Sequence, residues 1–97
     1  MKNLVYGAST LLVGDDVANA VLHYAAILAE ARASDVVDIP TCDETGFGVH
    51  ASVVLGPGMP VMAVVAPDDV LEQEDPAFVA ELTARIGLVL SGNKRSH

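Results

Sequence analysis

Val49-His50-Ala51-Ser52-Val53-Val54-Leu55-Gly56-Pro57-Gly58-Met59-Pro60-Val61-Met62-Ala63-Val64-Val65-Ala66 is the stretch that decides how this chain folds. Over 49–55, Val49, Ala51, Val53 and Leu55 fall to one side and His50, Ser52 and Val54 to the other, the period of a strand with one core face. Residues 56–60 have the glycine and proline density of a turn. Residues 61–66 are apolar on both faces. The stretch predicts strand, turn, strand, the second strand returning antiparallel on the first.

Working outward, Val36, Val37 and Ile39 predict a short strand that Pro40 ends, because proline has no N–H for a ladder. A loop over 41–48 joins it to the strand at 49. Further upstream, two apolar runs at 3–6 and 9–13 flank Gly7-Ala8 and predict a tight hairpin. Asp15 and Asp16 then supply an N-cap and negative charge for a helix over 15–33. Its core stripe is Val17, Val21, Tyr24 and Leu28, and Ala26 and Ala33 leave the opposite face only weakly polar.

Downstream of the quoted stretch, Asp75-Pro76 is an N-cap and first-turn pair. Phe78, Val79, Leu82 and Ile86 form the stripe of a second helix over 76–86, with Gly87 placed to end it and Glu81 and Arg85 spaced for an ion pair. The whole reads as a two-layer α+β sandwich of ββαβββα order, a mainly antiparallel sheet carrying two helices. One domain over 1–90 and a flexible tail over 91–97 are expected.

The composition narrows the function classes. A net charge of −8 with only five Lys and Arg argues against nucleic-acid binding, which draws its affinity from cations releasing phosphate counterions. The apolar run 53–66 is broken by Gly56, Pro57, Gly58 and Pro60, far short of the roughly 20 residues of a membrane span. The first sixteen residues hold no apolar leader segment, and the single cysteine leaves no disulfide framework, so a cytoplasmic protein is expected. A chain this small buries only about 60–65% of its unfolded surface, yet 52% of its residues are hydrophobic. Part of that apolar surface is therefore expected to meet another subunit.

The opening Leu4-Val5-Tyr6-Gly7 hairpin, followed by an acidic helix start and Val21-Leu22-His23, resembles small actinobacterial proteins of unknown function. The resemblance implies the same order of hairpin, helix, strands and closing helix. It implies no activity and no functional residue.

Candidate chemistry is sparse. Cys42 stands beside Asp43 and Glu44 with His50 nearby, but a reactive thiolate needs positive charge, and adjacent carboxylates oppose it. Gly46-Phe47-Gly48 lacks the remainder of any phosphate-loop pattern and reads as a turn whose Phe47 anchors on the core. The run Asp68, Asp69, Glu72, Glu74 and Asp75 lacks calcium-loop spacing and reads as a solvated loop, and His23 reads as an ordinary surface histidine. No metal and no cofactor is expected.

The favoured reading is a small acidic interaction module, not an enzyme, that self-associates as a homodimer or docks a protein partner through an apolar sheet face. Met62, Val64 and Val54 are its expected interface residues. The alternative is a small-molecule or metal-binding protein, or an enzyme, built on His50, Ser52 and Cys42.

Overall fold

The computed structural model describes residues 1–42, 47–66 and 74–92. Its elements follow the expected order: β1 (Lys2–Tyr6), β2 (Ser9–Val13), α1 (Asp15–Ala31), β3 (Asp35–Cys42), β4 (Gly48–Leu55), β5 (Val61–Val65) and α2 (Pro76–Gly92). The class is α+β, with five antiparallel strands and two helices. α1 lies over β1, β5 and β3, and α2 packs along α1.

The hairpin of β1 and β2 forms as the sequence predicts. Tyr6 pairs with Ser9 across Gly7-Ala8, and Gly7 has φ +59°. Glycine at the first central position with positive φ is the II′ arrangement, whose twist matches that of the flanking strands.

The partner of β5 is a correction. Instead of returning on β4, β5 pairs antiparallel with β1, Leu4 opposite Ala63. The sheet is accordingly split into a three-stranded sheet of order β2-β1-β5 and a two-stranded sheet of β3 and β4. The cause lies in the turn. Met59 N–H donates to the Gly56 carbonyl at 3.2 Å, and Gly58 has φ +80°. Proline and then glycine at the central positions make a type II turn, which splays the flanking strands where a primed turn would align them. Pro60 then withholds an N–H where a ladder with β4 would begin. Gly56 itself is buried against the Ala33-Ser34 connection after α1.

β3 is longer than expected and runs through Pro40, which pairs with His50. Four residues earlier on the same side of the strand, the Val36 carbonyl turns away from β4 to accept a hydrogen bond from Arg85. The missing N–H of Pro40 faces that same edge, so the ladder with β4 loses nothing. β3 approaches β2 without a ladder, joined where the Thr41 hydroxyl donates to the Leu12 carbonyl at 2.7 Å.

The helix ends also differ in detail. Gly14, not an aspartate, is the N-cap of α1, while Asp15 and Asp16 occupy its first turn. Lys2, 3.0 Å from the Asp15 carboxylate, holds that group below the usual carboxylate range. Asp16 accepts from Val17 N–H and, with its other oxygen, from Asp75 N–H at 2.9 Å, tying the starts of the two helices together. α1 stops at Ala31, and Arg32 enters the left-handed region with φ 55°. Ala33 N–H bonds back to the Leu28 carbonyl, completing a Schellman ending.

Asp75 caps α2 as predicted, its carboxylate accepting Phe78 N–H at 3.1 Å. α2 does not stop at Gly87 but runs to Gly92. An interior glycine costs about 1 kcal/mol against alanine, and the added turn brings Val89 onto the core. Ser91 and Gly92 are thus helical, and the rest of the expected tail, 93–97, lies outside the described residues.

Candidate functional site

Cys42 and His50 do come together. They border a cavity of about 270 Å³ that also touches Thr41, the Gly14 start of α1 and Asp75 at the start of α2. Ser52 is elsewhere, on the exposed face of β4, where its hydroxyl donates to Asp38 across the ladder. The cavity is smaller than the ~300–1,000 Å³ of ordinary ligand sites. Of its other polar side chains, Thr41 donates to Leu12 and Asp75 caps α2, while Glu74 is exposed. Among the described residues no group of three His, Cys, Asp or Glu side chains is placed to hold a metal ion.

Other sequence expectations resolve simply. Phe47 does not anchor on the core but is 73% exposed. His23 is exposed on α1. Asp68, Asp69 and Glu72, like Asp43, Glu44 and Gly46, lie outside the described residues.

One polar network was not visible in the sequence. Buried Tyr24 on α1 donates to Asp35 at the start of β3 at 2.6 Å, and Arg85 of α2 reaches the same carboxylate oxygen at 3.0 Å. Arg85 also pairs with Glu81 at 2.9 Å, the i,i+4 contact the spacing predicts. Three elements are thereby pinned at one point. Burial, reinforced by the Asp35 carboxylate, pushes the Tyr24 hydroxyl up from 10 to about 12.

That shift sets an expected pH dependence. Between pH 10 and 12 the unfolded chain gives up the Tyr24 proton while the folded chain keeps it, so stability falls as pH rises through that window. Tyr24→Phe is expected to flatten the decline. Urea melts of both proteins at pH 9 and pH 11 measure it, and parallel losses would remove Tyr24 as the cause.

Exposed apolar side chains lie on the three-stranded sheet, on β3 and β4, and on the last turns of α2, where Leu88 is 68% exposed. The ladders place Met62 beside Val5 and Val64 beside Asn3, with Leu12 on the far side of Asn3, all on the face away from Leu4 and α1. Met62 is 54% exposed, Val64 44% and Leu12 37%. Val54 is exposed too, but on the other sheet, opposite Val36. No described helix is long and apolar enough to cross a membrane. No family model, curated protein or solved structure matches the chain.

Proposed function

We propose that this protein is a non-enzymatic interaction module that self-associates through the three-stranded sheet, with Met62 and Val64 near the centre of the contact. The observation that carries the reading is the exposure of these two side chains on a face that none of the described elements covers. Adjacent exposed apolar side chains on a sheet are the usual mark of an interface. β5 itself carries no charge, so a contact made along it places no like charges opposite one another in a chain of net charge −8. A single cysteine with no disulfide to maintain suits the reducing cytoplasm.

Sedimentation velocity from about 1 to 100 μM tests the proposal. Wild type is expected to shift from monomer to dimer across that range. Met62→Glu/Val64→Glu, which puts like charges opposite one another at such a contact, is expected to remain monomeric while keeping the wild-type circular dichroism spectrum. A wild type that stays monomeric throughout would end the reading.

A further inference from the structure

Three of the four outer strand edges are occupied by side chains. On β2 the Leu12 carbonyl accepts the Thr41 hydroxyl, on β3 the Val36 carbonyl accepts Arg85, and on β4 the Val54 carbonyl accepts the Tyr6 hydroxyl. β5 is the exception. It pairs with β1 on one side, and among the described residues nothing bonds to its other side. Val61–Val65 also has no charge, proline or bulge, the devices by which proteins protect an edge from pairing.

The two ends of β5 differ in a complementary way. Beside Val61 lies an apolar groove of about 570 Å³, walled by Ala25, Ala26 and Ala29 of α1 and by Met59 and Pro60. At the other end Val65 projects on the same face as Val61 yet is 70% exposed. An exposed apolar side chain and an open apolar groove thus sit four residues apart on one open edge. An antiparallel two-fold pairing superposes each on the other.

We propose that β5 pairs antiparallel with β5 of a second copy about a two-fold axis at Ala63, each Val65 seating in the alanine-walled groove of the other copy. The proposal rests on the self-association argued above and specifies how the copies meet. Val61 lies opposite the partner's Val65, and Met62 lies opposite the partner's Val64, so the exposed pair forms cross-strand contacts at the centre. The two three-stranded sheets become one of six strands. Because α1 lies over β1 and β5, the two α1 helices come to about 10 Å from each other, the spacing of packed helices. Alanines on the facing sides permit that approach.

Two variants, followed by sedimentation at about 50 μM, and one cross-link test this arrangement. Val65→Glu is expected to weaken dimerisation at least a hundredfold while leaving the fold intact, since Val65 is largely exposed in the monomer. Leu12→Glu, on the same sheet but two strands from the edge, is expected to leave the dimer unchanged. Met62→Cys/Val64→Cys, in a Cys42→Ser background, is expected to give a covalent dimer on mild oxidation. A monomeric wild type would overturn self-association and this geometry together. A dimeric wild type that survives Val65→Glu, dissociates with Leu12→Glu or fails to cross-link would overturn the edge pairing alone.

Discussion

Leu82→Ala is expected to destabilise the protein by about 2–5 kcal/mol, the usual cost of emptying a fully buried leucine site. Leu82 has no exposed surface, and it is the one residue of α2 that is completely buried. Phe78, Ile86 and Val89 pack against the core only in part. The hold of α2 on α1 therefore depends on a single deeply seated side chain, with the Arg85 contact to Asp35 as a partly exposed companion. Urea denaturation followed by circular dichroism measures the loss. A change below about 1 kcal/mol would mean that α2 contributes little to the cooperative fold.

Gly56→Ala is the second large effect, at about 1–3 kcal/mol of destabilisation. A Cβ at Gly56 would lie 2.8 Å from the Ser34 Cβ and 3.1 Å from the Ala33 carbonyl oxygen. The second contact is with backbone just after the Schellman ending of α1, where the chain has no freedom to withdraw. Gly48→Ala is the control, because a Cβ there meets nothing within 4 Å. Thermal denaturation of the two variants side by side should show a lowered midpoint for the first only. Equal midpoints would show that the 33–34 connection yields easily.

These two sites illustrate what the sequence makes legible. Leu82 is recognisable because its burial follows the helical spacing of Phe78, Leu82 and Ile86. The hairpin of β1 and β2 and the stripe of α1 are legible for the same reason, since periodicity and turn chemistry are local. The partner of β5 is not local. A strand that is apolar on both faces fits equally well against β1 or β4, and the decisive clue is the type of turn: Pro57-Gly58 favours type II, which does not build a tight hairpin.

The candidate surface divides along the same line. Exposure of Met62 and Val64 follows from a two-sided apolar strand in a sheet covered on one face, but which edge stays open depends on pairing. The Tyr24, Asp35 and Arg85 network was hidden because its members lie 11 and 50 residues apart in the chain. In sequence, Tyr24 belongs to an apolar stripe and Arg85 to a helix-surface pair. Only folding makes them neighbours.

The pairing of β5 with β1 also fixes an order of events. Tyr6 and Val61, opposite each other in the ladder, are separated by about 55 residues, whereas β3 and β4 close across a connection of about five. Loop-closure entropy makes the longer closure costlier by about 2 kcal/mol. The β1–β2 and β3–β4 hairpins and α1 are thus expected to acquire amide protection before β5 does. Pulse-labelled hydrogen exchange during refolding would show this as late protection of the β1–β5 ladder, at Asn3, Val5, Met62 and Val64, and simultaneous protection would contradict it. Until that step the outer edge of β1 is bare as well, so dilution during refolding should matter more for yield than it does for the stability of the finished protein.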